Sequence, residues 1–432
     1  MPRPRAVLIA GASVAGPTLA HWLERFGMEP TVVERAPELR VGGQNVDVRG
    51  AGRIVAARTG VEEAVRAAGT GERGLAFVDA RGAVQAEFPA ASRADAGRAG
   101  DGPTAELEIL RGDLAQILHD HTRDRVRYRF GDRITRLDDD GHRVRVGFER
   151  GHEEEFDLVI AADGLHSGTR AITLPQRRDV RFLGLCLAYF TIPREESDDD
   201  WWRWYAAGGG RTVTLRPDRH GTTRAMLSFL SLSPAAARLS PDAQRELLRA
   251  EFRGAGWEAE RVLDGMDRAA DFYFEAISQV RPPCYANGRV GLVGDAAWCA
   301  SPISGMGTTL ALLGAYVLAG SWHAATTTVR RSPLTNRSCG RTCGRPSGSR
   351  PAHRASPTPA ATPACACSTP RRGGRPGWRD GCLPSAPGRS TCPSTSCHAR
   401  PPADQAGGRA HGHDQLPAPS IRKPFLAMPL SC

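Results

Sequence analysis

Apolar runs and helical spacing alternate from the start of the chain. Ala6–Ala10 (AVLIA) is apolar at every position, as in a parallel strand buried on both faces. Pro17–Phe26 then places Leu19, Trp22, Leu23 and Phe26 at helical spacing, and Gly27 ends the helix. Thr31–Glu34 is a second strand, closing on a carboxylate. Gly50–Gly69 reads as helical, and Leu75–Asp79 and Ala83–Phe88 as short strands. Between Val180 and Phe274 the pattern changes to alternation. Arg211–Arg216 and Arg224–Phe229 read as half-buried strands, and with Phe182–Ile192 and Asp271–Ala276 they are expected to form one sheet. Two further apolar strands end in Asp-Gly or Gly-Asp, at Asp157–Gly164 and Arg289–Asp295, and a helix is predicted over Gly307–Leu318. The fold class is therefore α/β. A Rossmann-like domain (1–175 and 281–320) carries an inserted β-sheet domain (176–280).

Composition divides the chain near residue 320. Of its 432 residues, the last 112 hold 17 of the 32 prolines, 8 of the 11 cysteines and only 8 Leu, Ile, Val or Phe. They carry 16 basic groups against 3 acidic ones, so the formal charge of +10 belongs to this segment and the body is near −3. Segment 321–432 is too poor in apolar material to offset the entropy of ordering it, and reads as a disordered tail or as translation in a shifted frame. The body gives no reason to expect a nucleic-acid partner. No run of 18 apolar residues occurs, so no membrane span is expected and the expected location is cytoplasmic. A signal peptide at Met1–Ala20 is the weaker reading beside strand, turn and helix. The one lysine is Lys423, which removes P-loop chemistry from the body.

Between the first strand and helix lies Gly11-Ala-Ser-Val-Ala-Gly16. This is a dinucleotide-binding loop with Ser13 in place of the middle glycine. Gly11 permits the tight turn and Gly16 the close packing of helix on strand. Glu34, 23 residues after Gly11, is placed to bond a ribose hydroxyl and would repel a phosphorylated one. Further on, Pro302, Gly305 and Gly307 precede a helix whose N-terminus can hold the negative charge of a reduced flavin.

Together these motifs resemble the FAD-dependent aromatic-ring monooxygenases of the p-hydroxybenzoate hydroxylase fold, nearest the branch of tetracycline-inactivating monooxygenases, over about residues 5–320. The resemblance implies FAD as cofactor and NADPH or NADH as a transient co-substrate. Gly11, Ser13, Gly16, Glu34 and Arg35 would bind its ADP part. Asp47, in the segment Gly42–Asp47, would run beside the flavin, and Arg40 would contact the nicotinamide. Arg111, in Leu110-Arg-Gly-Asp-Leu114, would reach FAD, and Asp163-Gly164 would serve both nucleotides. Asp295 would hold the ribityl chain, with Pro302, Gly305 and Gly307 at the flavin ring. Trp298 and Thr309 depart from the family, where histidine and asparagine are common. The implied reaction reduces the flavin, adds O₂ to give a hydroperoxide, and transfers one oxygen atom to an aromatic or polyketide-like small molecule. The inserted sheet would be the substrate domain.

No catalytic side chain and no metal site are assigned. The cluster Trp201, Trp202, Trp204 and Tyr205 reads first as strand packing and second as an aromatic wall for a planar substrate. His166 reads as a surface residue, and Cys186, Cys284 and Cys299 as buried thiols. A flavin halogenase would need a lysine that the body lacks. A prenyl-chain reductase, or a decayed non-catalytic flavoprotein, stays open. Oligomeric state is not legible.

Overall fold

The computed structural model describes residues 5–40, 43–90, 104–174 and 179–331, with side chains to 324. Its first sheet has six strands in the order Ala286–Asn287, Val290–Leu292, Leu158–Ala161, Ala6–Ala10, Glu29–Glu34, Arg127–Phe130. All pair in parallel except the two-residue edge strand. Ala6–Ala10 is central, which explains its unbroken apolar run. Val7 and Ile9 face the helices Ala15–Arg25, Arg111–Thr122 and Gly307–Arg331 in the largest core cluster. Leu8 and Ala10 face the other way, onto the three-stranded meander of Ile134–Asp139, Val144–Phe148 and Glu153–Phe156. Each side chain of that strand is thus withdrawn from water, at roughly 25 cal/mol per Å² of apolar surface.

The second sheet has seven strands: Tyr273–Val280, Val180–Pro193, Thr222–Leu230, Arg211–Pro217, Trp202–Ala206, Gly74–Val78 and Val84–Pro89. Its last two strands come from before residue 176, so the sheet extends beyond the expected 176–280 segment. Leu75–Val78 pairs in parallel with Trp202–Tyr205, an alignment that local patterning does not specify. Helices Pro241–Phe252 and Ala259–Arg268 cover one face, burying Leu248, Phe252, Val262, Leu263 and Met266 against Ala188, Phe190, Leu215 and Leu227. Ser240 caps the first of these helices through the Ala243 N–H, with Pro241 at its first turn.

The last described helix runs to Arg331, thirteen residues past the expected end at Leu318. Its apolar face continues through Ala319 and Trp322 onto the core, and His323 stacks on Phe26 at 4.4 Å. No proline interrupts the sequence until Pro333. The remainder of segment 321–432, with its expected disorder, lies outside the described residues, as does Gly42. Among the described residues no helix is long and apolar enough to cross a membrane.

Candidate functional site

A single cavity of about 1780 Å³ opens at the C-terminal ends of the parallel strands and continues beneath the seven-stranded sheet. Its polar end is built on the glycine loop. Gly11 has φ 111°, and a Cβ there would strike the carbonyl of Ala162 on the neighbouring strand end. A Cβ on Gly16 would strike the Gly11 carbonyl, so Gly16 lies beneath the cavity, where it lets helix and loop meet. Ser13 lines the cavity and accepts a 3.2 Å bond from Arg111, whose half-buried guanidinium also feels Glu34 and Asp295. Burial, and then Arg40, hold Arg111 below its usual value. Glu34 accepts the Ala12 and Ala36 N–H groups, each at 3.0 Å, which fixes its carboxylate at the strand end.

The Asp-Gly and Gly-Asp strand ends meet through Arg170. This residue is 5% exposed and donates to the Leu165 carbonyl at 2.7 Å and the Ala296 carbonyl at 3.1 Å, and pairs with Asp179 at 2.5 Å. Asp163 lines the cavity, but its oxygens accept from the Ser167 hydroxyl and the Thr169 N–H, holding the turn after the strand. Asp295 lines the cavity beside Cys299, its side chain open to that space. The loss of bulk water around it pushes its carboxyl up, and burial pushes the Cys299 thiol up to about 12.

The loop that follows carries strain. Ser301 sits at φ 86°, ψ 153°, a region almost reserved for glycine, and leads into Pro302 and Gly305. Thr309 takes an N–H from Arg49 at 2.9 Å and gives its own proton to the Arg49 carbonyl, clamping the helix start to the segment that bears Asp47. Arg49 pairs with Asp47 at 2.8 Å. Trp298 fills the space left by Gly314 on that helix, where any Cβ would strike the indole. Two of the three departures from the family, Thr309 and Trp298, therefore fix how this helix meets the cavity, and the third is Ser13 in the glycine loop.

The other wall is the free face of the seven-stranded sheet. Strand alternation turns Trp202 and Trp204, Thr212, Thr214 and Arg216, Met226 and Ser228, Leu185, Leu187 and Tyr189, and Tyr273 and Glu275 toward the cavity. The aromatic cluster is thereby split, which corrects its reading as plain strand packing. Tyr205 points into the core and bonds the Ala255 carbonyl at 2.8 Å, whereas Trp202 and Trp204 are wall. His166 lines the cavity as well, and burial lowers its pKa.

Sequence reading missed the charges around Arg216. Its guanidinium lies 4.1 Å from the Trp202 ring and bonds Glu72 at 2.7 and 3.0 Å, with Glu108 at 3.6 Å. Burial drives the Glu108 carboxyl up to about 7. Cys186, Cys284 and Cys299 are buried thiols, as the sequence reading expects. Of the expected site residues, Gly11, Ser13, Glu34, Arg35, Arg40, Asp47, Arg111, Asp163, Gly164, Asp295, Pro302, Gly305 and Gly307 all line this one cavity.

A glycine cradle, a fixed carboxylate after the second strand and a helix start converging on a trough define a dinucleotide-dependent oxidoreductase. At about 1780 Å³ the cavity exceeds the roughly 300–1,000 Å³ of an ordinary ligand pocket, leaving room for a dinucleotide and a second molecule. The chain belongs to the FAD binding domain family, which matches residues 5–330, and is a flavin-dependent monooxygenase of that family. It is 40% identical over 322 residues to an uncharacterized protein of Mycobacterium tuberculosis, covering 74% of this chain and 86% of that one. Over 335 residues it is 40% identical to the flavin-dependent monooxygenase eupH of Phoma sp, covering 73% and 76%. The crystal structure of tetracycline destructase Tet(55) superposes with a TM-score of 0.67 at 36% identity, over 76% of this chain and 83% of that one.

Proposed function

We propose that FAD lies along the polar trough and that the tryptophan-lined chamber holds an aromatic or polyketide-like small molecule, which is oxygenated with NADPH or NADH and O₂. The carrying observation is the continuity of trough and chamber in one cavity. The loop Gly11–Ser13 and the helix start at Ala15 suit a pyrophosphate, and Glu34 and Arg35 the adenosine sugar. Asp47, Arg111, Asp163, Gly164 and Asp295 suit the remaining length of the cofactor, with Pro302, Gly305 and Gly307 at its ring and Arg40 toward the nicotinamide. Bound FAD would supply the redox chemistry: acceptance of electrons from NAD(P)H and activation of O₂.

The chain's own task is orientation and exclusion of water. Trp202, Trp204, Leu187 and Met226 offer flat apolar contacts to a planar molecule. Arg216, fixed by Glu72, sets a cation among them. The purified protein should be yellow and retain one FAD per chain. Asp295→Ala should bind FAD about 5- to 150-fold more weakly, for a loss of about 1–3 kcal/mol when hydroxyl partners go unpaired. Fluorescence titration with FAD measures this, and unchanged affinity would remove Asp295 from the site. Anaerobic mixing with NADPH or NADH should bleach the flavin. Oxygen from labelled O₂ should then appear in one product across a panel of phenols and polyketides, whereas a reductase would give none.

A further inference from the structure

Phe77 and Phe88 have no role in the reading above, and neither is among the residues that line the cavity. They stand on Gly74–Val78 and Val84–Pro89, the last two strands of the seven-stranded sheet, and are 37% and 44% exposed. Register puts both on the cavity face. Phe77 lies opposite Trp204, and Leu75 lies opposite both Trp202 and Phe88; residues directly opposite share a face. The ring contacts agree. Trp202 and Trp204 are 5.1 Å apart, Trp204 and Phe77 6.2 Å, and Phe77 meets Phe88 edge-on at 6.0 Å. An unbroken row of rings therefore leaves the chamber and runs to the edge of the sheet. The backbone beneath it is close-set. A Cβ on Gly74 would strike the Phe88 carbonyl, and the Arg73 carbonyl accepts the Ala90 N–H at 2.9 Å.

The adjoining sequence has little to cover these rings with. Strand Val84–Pro89 is exposed at every position, and the only apolar side chains in residues 91–103 are alanines and Pro103. The row is also too small to hold two copies together. An aromatic side chain offers about 150–250 Å² in all, so at these exposures the two rings present on the order of 150 Å². Each partner of a stable interface buries about 800 Å². Such a strip matches one arm of a small molecule.

We propose that the row Trp204–Phe77–Phe88 extends the substrate chamber. The preferred substrate joins a planar head, seated among Trp202 and Trp204, to an extended apolar arm that leaves the chamber across Phe77 and Phe88. This rests on the monooxygenase reading above. Two strand spacings, roughly 10 Å, separate Trp204 from Phe88, and an arm of that length lies on flat apolar surface with its other side in water. Leu75 and Ala86, which share this face, cannot bond a polar group, so the arm is a hydrocarbon chain rather than a sugar. Phe77 and Phe88 are thereby specificity-determining residues.

The test uses the FAD-loaded full chain and para-alkylphenols carrying two to twelve carbons, with binding followed by the flavin spectrum and tryptophan fluorescence. In the wild type Kd should fall about twofold per added methylene, as for a chain covered on one side, and level off once the arm outruns Phe88. Phe88→Thr should level off at a shorter chain. Phe77→Thr should lose most of the dependence and bind the longest phenol about tenfold more weakly, and Phe77→Leu, which keeps apolar surface, should restore it. All three should bind the two-carbon phenol as the wild type does. Both positions are exposed and threonine suits a strand, so the variants should retain FAD and elute at the wild-type volume. Length dependence that is absent from the wild type, or unchanged in both threonine variants, overturns the extension. So does an elution shift showing that the row joins two copies. Loss of FAD from the wild type would instead strike the flavoprotein reading. Failure of every phenol to bind the loaded protein would strike the aromatic-substrate reading, and the extension with it.

Discussion

Ser301 shows how one backbone conformation is spent at the cavity. At φ 86° and ψ 153° a Cβ is strained by about 1–3 kcal/mol, yet the residue is 5% exposed and leads directly into Pro302. Its carbonyl accepts the Ser304 hydroxyl at 2.8 Å, which ties the short turn that presents Gly305. Ser301→Gly should therefore stabilise the protein by about 1 kcal/mol, the relieved strain exceeding the entropy glycine adds to the unfolded chain. Thermal unfolding of the two proteins side by side would show the midpoint rise. A lower midpoint would mean that the serine side chain compensates for the strain.

The helix Gly307–Arg331 is positioned by two small-residue contacts. Gly52 packs on Thr309, where an added Cβ would come within 2.9 Å of the Thr309 Cα. Gly314 receives the Trp298 indole, which also meets Tyr285 edge-on at 5.6 Å. Helix propensity alone favours Gly314→Ala by about 1 kcal/mol. The indole decides the sign here, because nothing about a ring held in a core gives way cheaply. Gly314→Ala should lose about 1–3 kcal/mol in urea unfolding, and adding Trp298→Ala should make the Gly314→Ala step favourable. Additivity of the two changes would separate them.

At the scale of the folded body, one source of acid sensitivity lies on the helix that follows the glycine loop. His21 is 3% exposed, both of its ring nitrogens lack hydrogen-bond partners, and the His121 ring lies 5.0 Å away. Burial first, then His121 and Arg125, lower His21 to about 4, and burial lowers His121 too. The unfolded chain therefore binds the His21 proton at higher pH than the folded one. Stability is full above about pH 6.5 and falls as pH drops toward 4, by up to about 3 kcal/mol. Urea midpoints between pH 7.5 and 4.5 should show the fall, and His21→Phe should flatten it. An equal slope in that variant would assign the effect to other groups.

Ala6–Ala10, the glycine loop and the strand ends at Asp163 and Asp295 were legible because their signals are local: an unbroken apolar run, a turn that admits only glycine, a carboxylate at a fixed distance. Those features settle the fold class and place most of the residues that line the polar end of the cavity. Others depend on pairings between distant residues, to which periodicity is blind. The cluster Trp201–Tyr205 reads from sequence as strand packing, but the cavity face belongs to Trp202 and Trp204 only because Leu75–Val78 and Arg211–Pro217 flank them in one register. The helix outruns Leu318 because Trp322 finds a core that composition does not display. Glu72 and Glu108 around Arg216 read in the sequence as scattered polar residues. Folding removes their water and sets like charges together, and burial of charge, more than the identity of any one residue, makes them chemically distinct.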